Sequence, residues 1–419
     1  MKYRTVTDRS LFVAPATGAV LLALSLAALT ALCAALRIPM ADALVYRAEG
    51  AAVAHGTELY GFTVTRWHLP ATYPPFAALL FVPTAWLPVP VLKAAFAVGN
   101  ALLLALLVRL SCRFARIAPR PAALLAATAA GLWLEPVFQT LLFGQINLAL
   151  TCLVLWDLTR PPGSPGKGFG VGIAAGVKLT PALFLLYALL TGRRREAATG
   201  AATFAGTVLL GALVLPGASA DFWTRRLYET DRVGKAWIVD NQSLQGLLAR
   251  LLHTPAPGAV WMAVAAAVAA AGLWTARRAD DRWGVLVTAI TALLVSPISW
   301  SHHWVWCVPL LAVLVAEGRT RTAVAVAAVF AARTLWLVPH QGDLDLHLPW
   351  WQQPLASPYA LLGLAQVAVC LRAGGGWSRS SPRPLNAAAR QSPGRPEGAL
   401  QGRGELREQP TTTRRRTPG

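Results

Sequence analysis

Long apolar segments recur through most of this chain and decide what it can fold into. They lie at residues 12–36, 74–88, 91–110, 121–138, 143–158, 169–191, 197–215, 258–275, 284–300, 304–316, 321–338 and 356–372. A helix of about 20 mostly apolar residues crosses a bilayer. Charged residues make up only 14% of the chain, which excludes a soluble globular enzyme. We therefore predict an all-α fold, a polytopic membrane helical bundle of about 10–13 transmembrane helices or half-helices within residues 1–372.

Basic residues stand in short clusters between the apolar segments. The chain has 38 Lys and Arg against 19 Asp and Glu, a formal net charge of +19. A nucleic-acid-binding protein gathers such residues on one folded face, whereas a membrane protein keeps them in its cytoplasmic loops. We expect no nucleic-acid partner and predict a multi-pass cell-membrane protein with a cytoplasmic N-terminus. The clusters are Arg109/Arg113/Arg116/Arg120, Arg193/Arg194/Arg195, Arg277/Arg278/Arg282 and Arg319/Arg321.

Placing these clusters in the cytoplasm leaves two apolar segments that cannot be simple spans. Residues 73–110 contain two apolar pieces but can cross the membrane only once, because the cluster that begins at Arg109 must reach the cytoplasm. We therefore predict that Tyr73–Leu87 is re-entrant or interfacial. The segment 169–191 has basic residues at both ends and a Lys-Leu-Thr-Pro break at 178–181, which predicts a half-membrane hairpin. The outer loops are then 37–72, about 139–146, 216–257, 299–304 and 339–355. We expect an extracytoplasmic functional site in these loops.

Residues 373–419 differ in composition from the rest of the chain. Gly, Pro, Ser and Arg dominate, and apolar residues are sparse. We predict a disordered, basic cytoplasmic tail, separate from the membrane domain at 1–372.

Metal and cofactor chemistry has little support in the sequence. The five cysteines are scattered without metal-ligand spacing, and no glycine-rich phosphate loop is present. We therefore expect neither a metal site nor a cofactor.

Two charged residues are the first candidates for chemistry. Asp42 follows the first span, where desolvation at the membrane boundary would make its carboxylate a better base; the alternative is a helix N-cap. Lys178 lies at the break in an apolar segment, where a cation needs an anionic partner. That partner is either a phosphate or an Asp or Glu of a neighbouring helix.

Further polar residues lie in the outer loops. Gln145 and Asn147 either bind sugar hydroxyls or cross-link helices. The adjacent His302 and His303 either bind phosphate or sugar, or are interfacial structural residues. Arg232 and Lys235 suit an anionic lipid headgroup or a solvated loop face. We list Tyr46, Arg47, Tyr60, Tyr73, Asn241 and Gln242 as further candidate substrate-binding residues.

Taken together, the outer-loop motifs resemble glycosyltransferase family 87. They are Asp42-x3-Tyr46, Gly56-x2-Leu59-Tyr60, Tyr73-Pro74-Pro75-Phe76, Gly144-Gln145-x-Asn147, Lys178-Leu179-Thr180-Pro181, Asn241-Gln242-Ser243-Leu244 and Ser301-His302-His303. The resemblance covers nearly all of 37–310 and keeps the motif order. It implies a GT-C class enzyme that uses a polyprenyl-phosphate sugar donor, most often for α-1,2-mannosyl transfer to a glycan or glycolipid.

The resemblance also implies roles for individual residues. Asp42 matches the catalytic base, which would deprotonate the acceptor hydroxyl in an inverting displacement. The leaving phosphate would be stabilised mainly by Lys178, His302 and His303. Arg232 and Lys235 are secondary candidates for the same role. Asp42 is followed by Ala43, not by a second acidic residue, which argues against a two-carboxylate or metal-assisted mechanism.

Two alternatives remain open from the sequence. A flippase or transporter of lipid-linked sugars would also have broken segments and an intramembrane lysine. A transferase for arabinofuranosyl or glucosyl donors would differ only in its donor pocket.

Overall fold

The computed structural model describes residues 15–373, and its regular structure is almost entirely helical. The first nine α-helices are α1 Pro15–Ala35, α2 Ala41–His55, α3 Pro75–Ala85, α4 Val89–Phe114, α5 Pro121–Gly131, α6 Glu135–Phe143, α7 Asn147–Leu158, α8 Phe169–Val177 and α9 Leu183–Leu190. The next nine are α10 Arg194–Val214, α11 Pro216–Asp221, α12 Leu244–Leu251, α13 Gly258–Ala276, α14 Asp281–Val295, α15 Cys307–Ala316, α16 Thr320–Ala332, α17 Gln353–Ala356 and α18 Pro358–Arg372. The predicted all-α fold is confirmed, and the predicted tail lies outside the described residues.

Short elements connect these helices. Two-residue strands, β1 Thr63–Val64 and β2 Leu69–Pro70, form an antiparallel hairpin between α2 and α3. The 3-10 helices are Thr180–Ala182, Thr230–Arg232, Ser301–Trp306, Thr334–Trp336, Leu344–His347 and Trp350–Gln352, and a π-helix covers Phe222–Arg226.

Several helices of the described part are suited to a bilayer. Four are long and apolar enough to cross it: Ala16–Ala35, Val89–Phe114, Arg194–Val214 and Gly258–Ala276. Two bent pairs, Pro121–Gly131 with Glu135–Phe143 (73°) and Trp350–Ala356 with Pro358–Arg372 (83°), raise this number to six if each is one span. Shorter apolar helices lie at Pro75–Ala85, Asn147–Leu158, Thr180–Leu190 and Ser301–Ala316. The chain is a multi-pass membrane protein.

Helix α8 runs alongside α10 in the same direction. Gly168 lies against the backbone of Glu196 near the start of α10, and Gly176 lies against Thr207 further along it. A Cβ at Gly176 would stand 2.1 Å from the Thr207 hydroxyl oxygen, so only glycine allows this close approach. The end of α8 therefore reaches well along α10.

Helix α9 runs back along the same helix. Leu185 contacts Gly200, and α9 ends just before α10 begins. Lys178, between the two short helices, is extended (φ −148°, ψ 124°), and Pro181 follows in a 3-10 turn. Helices α8 and α9 therefore form a hairpin with Lys178 at its tip, and its half-membrane depth stays a prediction.

Helix α3 lies at the same end of the helical bundle as Lys178, the tip of the hairpin. Phe76 packs near Gly211 at the end of α10, and Lys93 at the start of α4 donates to the carbonyl oxygen of Ile38 after α1 (3.5 Å). With 11 residues, α3 is about 16 Å long, too short to cross a bilayer. This fits the predicted re-entrant or interfacial role of Tyr73–Leu87.

Candidate active site

Asp42 lies in the first turn of α2 and does not cap it. The N-cap is Met40, in left-handed conformation (φ 51°), and no side chain caps the helix. The Oδ2 atom of Asp42 instead accepts a hydrogen bond from Nε2 of Gln145 at 2.8 Å. Of the two alternatives for Asp42, the structure disfavours the cap.

The turn between α6 and α7 brings Gln145 to this carboxylate. Gly144 ends α6 with φ +68°, a conformation that costs glycine little. A Cβ at this position would stand 2.7 Å from the Cβ of Ala43. The glycine therefore allows the turn to approach the start of α2 directly beside Asp42.

Two tyrosines orient the Gln145 amide. The phenol of Tyr46 donates to Gln145 Oε1 at 2.8 Å, the phenol of Tyr73 does so at 3.3 Å, and the two phenol oxygens are 3.0 Å apart. Because Oε1 accepts from the phenols, Nε2 is directed to Asp42. The phenol of Tyr60 donates to the backbone carbonyl oxygen of Tyr73 at 2.9 Å. All three tyrosines are buried.

Lys178 lies in a polar cluster next to this carboxylate. Its Nζ is 2.8 Å from Nε2 of His303 and donates to Oδ1 of Asn147 at 3.2 Å. Asn147 in turn donates to the backbone carbonyl oxygen of His302 at 3.0 Å. In the described part of the chain we find no carboxylate in an ion pair with Lys178, so the alternative of a paired Asp or Glu is not observed.

His302 brings an unsatisfied polar group into the cluster. Its side chain is 3% exposed, and neither ring nitrogen has a hydrogen-bond partner. The ring stands edge-on to that of His303, with centroids 4.8 Å apart. Because buried polar groups are normally paired, this imidazole is suited to bind a ligand.

The electrostatic surroundings tune Asp42. Burial raises the pKa of Asp42 to about 6, while the Gln145 hydrogen bond and the Lys178 charge oppose the rise. Asp240 raises the pKa of Asp42 further, so a second carboxylate acts on this site from a distant loop. A carboxylate with a pKa near 6 is ionised at neutral pH and still basic enough to accept a proton.

Two carboxylates of this region, Glu49 and Asp240, have no role predicted from the sequence. Glu49 is seven residues after Asp42, two helical turns along one face of α2, and this spacing was visible in the sequence. Asp240 accepts a hydrogen bond from the backbone N–H of Ser301 at 3.1 Å. No local signal in the sequence connects Asp240 to Asp42.

A cleft extends from the Lys178 cluster between α7, α9 and α14. The cleft is open to its surroundings, and its empty volume of about 480 Å³ includes the open space at its mouth. Asn147, Lys178 and His303 line it together with Leu150, Thr151, Val154, Thr180, Pro181, Phe184, Ala289, Ala292, Leu293 and Trp306. The cleft thus has a cationic, hydrogen-bonding part and largely apolar walls.

The structure places three predicted basic residues outside this cluster. Arg47 donates to the carbonyl oxygen of Leu87 at 3.2 Å, and Lys235 forms an exposed ion pair with Asp343 at 2.8 Å. Arg232 donates to the carbonyl oxygen of Ala71, and its guanidinium stands 5.7 Å from the centre of the Tyr60 ring. Arg232 therefore contacts the segment that carries Tyr73, without contacting Lys178.

Asn241 and Gln242 are fully buried and hold loops together. Asn241 donates to the carbonyl oxygens of Ala236 (2.8 Å) and Pro297 (3.1 Å). Gln242 donates to the carbonyl oxygens of Val239 (2.6 Å) and Ala356 (2.8 Å) and accepts from the Tyr359 backbone N–H (3.1 Å). Their amides are engaged within the protein. Within residues 15–373, no group of three or more His, Cys, Asp and Glu side chains is placed to hold a metal ion.

Sequence comparison identifies this membrane protein as a glycosyltransferase. The chain belongs to glycosyltransferase family 87, whose profile matches residues 71–297. The resemblance noted from the motifs is confirmed, and the protein is an enzyme.

Curated relatives extend the match beyond this range. The chain is 36% identical over 360 residues to the polyprenol-phosphate-mannose-dependent alpha-(1-2)-phosphatidylinositol mannoside mannosyltransferase of Mycobacterium tuberculosis, covering 78% of this chain and 83% of the relative. It is 34% identical to the protein of that name in Mycolicibacterium smegmatis, with 78% and 82% covered. It is 35% identical to the phosphatidylinositol pentamannoside mannosyltransferase of M. tuberculosis, with 67% of each chain covered. No solved structure matches the chain.

Proposed function

We propose that this glycosyltransferase transfers mannose from a polyprenyl-phosphate donor to a hydroxyl of a glycan or glycolipid and forms an α-1,2 linkage. The observation that carries the proposal is the position of Asp42, hydrogen-bonded to Gln145 beside the Lys178 cluster of an otherwise apolar cleft. The names of the relatives support this donor and a phosphatidylinositol mannoside as the acceptor class.

Asp42 acts as the general base of a single displacement. Its carboxylate takes the proton of the acceptor hydroxyl while that oxygen attacks C1 of the sugar. The bond from C1 to the phosphate oxygen breaks, and polyprenyl phosphate leaves with the electron pair. The configuration at C1 is inverted by this step.

The Lys178 cluster stabilises the leaving phosphate. Lys178 provides positive charge, His303 is in direct contact with it, and His302 has free ring nitrogens for a hydrogen bond. Charge that develops in the transition state is best stabilised by groups already in place. The apolar walls of the cleft suit the polyprenyl chain.

Gln145 Nε2 donates to Asp42 and Asn147 Nδ2 donates to the carbonyl oxygen of His302, and each of these NH2 groups has a second N–H. We assign the sugar hydroxyls to these second N–H groups. Tyr46, Tyr60 and Tyr73 shape the surroundings of Asp42. Arg232 and Lys235 act further out, on the path of the anionic headgroups.

The site faces the extracytoplasmic side of the cell membrane in this proposal. The basic clusters between the apolar segments support this orientation, because such clusters stay in the cytoplasm. A transferase is favoured over a flippase because the relatives are named as mannosyltransferases.

The test is transfer by the purified protein in lipid nanodiscs. Polyprenyl phosphate [14C]mannose is supplied with a panel of phosphatidylinositol mannosides, and the linkage of the product is determined by NMR. We expect α-1,2-mannosylated product from this donor. Transfer from GDP-mannose, or from polyprenyl-phosphate glucose or arabinose in preference to mannose, would contradict the assigned donor.

Asp42→Asn tests the base within the same assay. The variant removes the proton acceptor at constant size, and a positioned general base contributes about 10²–10⁴-fold in rate. We expect transfer to fall by that factor with donor binding retained. The control Asp281→Asn changes a carboxylate in the first turn of α14. Near-wild-type turnover of Asp42→Asn would rule out the base.

A further inference from the structure

Glu49 is a buried carboxyl group on the same helix face as Asp42. Residues 42, 46 and 49 of α2 have the i, i+4, i+7 spacing that aligns side chains. Only 1% of Glu49 is exposed, although an acidic side chain is rarely buried without a specific partner. The burial of this carboxyl group two helical turns from Asp42 therefore needs a structural explanation.

Glu49 binds the backbone of a short segment that two other side chains also bind. Its Oε1 accepts a hydrogen bond from the Thr72 backbone N–H at 3.1 Å, and its buried Oε2 has no partner. Arg232 donates to the carbonyl oxygen of Ala71, and Tyr60 donates to that of Tyr73 at 2.9 Å. We call residues 71–73 the strap. Three elements of the fold thus hold three consecutive residues.

The strap carries the phenol that orients the Gln145 amide. Tyr73 donates to Gln145 Oε1 at 3.3 Å, and Gln145 Nε2 donates to Asp42 at 2.8 Å. We propose that Glu49 is a positioning residue for glycosyl transfer: it holds the strap and, through Tyr73 and Gln145, fixes the carboxylate of Asp42. This inference rests on the proposed role of Asp42 as base.

Glu49 fulfils this role as a neutral group. Burial raises the pKa of Glu49 to about 8, while the strap N–H groups and Arg232 oppose the rise. At neutral pH the side chain therefore holds a proton, and glutamine imitates it in size and charge. The titratable or charged groups that face Glu49 are Asp42, Tyr46, Tyr60, Tyr73 and Arg232; those that face Asp42 are Glu49, Tyr46, Tyr73, Lys178 and Asp240.

The experiment compares Glu49→Ala and Glu49→Gln in the nanodisc transfer assay. Alanine removes one of the three side-chain contacts that hold the strap, the one to Thr72. The strap can then shift, so we expect kcat to fall about 10-fold with the donor KM nearly unchanged, because misplacement of a reacting group slows the chemical step. Glutamine keeps an acceptor for Thr72 and should stay within about twofold of wild type. Glu58→Ala, an exposed glutamate nearby, is the matched control. If Glu49→Ala does not fold, Glu49→Met replaces it. Equal losses in the glutamine and alanine variants would overturn the proposal.

The route through Tyr73 is tested by a double-mutant cycle. Tyr73→Phe removes the phenol hydroxyl that reaches Gln145. If Glu49 acts through Tyr73, adding Glu49→Ala to this variant should lower kcat by less than about a further twofold. If the loss of kcat in the double variant equals the product of the losses in the two single variants, Glu49 acts by another route and the proposal is overturned.

A titration separates this inference from the proposed function. The Gln145 hydrogen bond lowers the pKa of Asp42, so loosening it in Glu49→Ala raises that pKa. The infrared carboxyl band that Asp42→Asn removes should titrate at higher pH in Glu49→Ala than in wild type, whether or not any sugar is transferred. An unmoved band would overturn the positioning role. Absence of transfer by the wild type would instead overturn the proposed function.

Discussion

Asp42 owes its chemical character to opposing influences on one carboxylate. Burial raises its pKa to about 6, and the Gln145 amide and the Lys178 charge keep it from rising further. The group is therefore ionised above about pH 6 and protonated below it. In the proposed mechanism Asp42 must be deprotonated to act as the base, so this pKa is expected to set the lower pH limit of activity.

The pH profile of kcat/KM should show this group directly. We expect an acid limb near pH 6, along which activity falls about tenfold per pH unit as Asp42 becomes protonated. Gln145→Leu removes a hydrogen bond that lowers the pKa, so its limb should move to higher pH. Gln366→Leu in α18 is the control. A limb near pH 4 in the wild type would contradict a desolvated base.

Lys178 and His303 should matter for the leaving group. We expect Lys178→Ala and His303→Ala each to lower kcat or donor affinity about 10-fold, which is about 1.4 kcal/mol. Arg277→Ala, an exposed cation next to the end of α13, is the control. Transfer should persist in EDTA; its loss there and recovery with Mn²⁺ would contradict charge stabilisation by protein groups alone.

At the scale of elements, α12 holds the loop that carries Asn241 and Gln242. Arg250 of α12 is fully buried and donates to the backbone carbonyl oxygens of Trp237 (3.1 Å), Ile238 (2.9 Å) and Asn241 (3.1 Å). It also donates to the Ser357 hydroxyl at 2.9 Å, which ties this loop to α18. One side chain thus joins two segments that are far apart in sequence.

Removal of this side chain should destabilise the fold. Arg250→Ala leaves several buried acceptors without a donor, at a cost of roughly 2–4 kcal/mol. We expect a clearly lower Tm in detergent, measured by intrinsic fluorescence. Arg225→Ala removes an arginine whose side chain is 57% exposed and should change Tm little. Equal Tm values for the two variants would contradict the anchoring role.

At the scale of the whole molecule, orientation in the membrane can be tested by labelling. Single cysteines at 58 and 228 should react with an impermeant reagent from outside, and those at 195 and 278 should not, because the proposed orientation places the basic clusters in the cytoplasm. All four positions are exposed, so a failure to react reports sidedness. Labelling of 195 from outside would overturn the orientation and the extracytoplasmic site together.

The sequence by itself determined the helical membrane fold, the hairpin and the family. These depend on local pattern: apolar length defines a span, and a Lys-Leu-Thr-Pro break flanked by basic residues defines a hairpin whose tip is Lys178. Asp42, Gln145 and Lys178 could be proposed because each stands in a short recognisable motif. The structure brings these three to one end of the bundle.

Only the tertiary structure decided which side chains meet. Helix and loop packing bring Asp240 close enough to raise the pKa of Asp42, direct Glu49 to the strap, and place Lys235 beside the exposed Asp343. They also form the cleft, whose walls come from three helices that are separated in sequence. Such neighbours follow from the packing of whole helices against one another. No local pattern of residues encodes that packing.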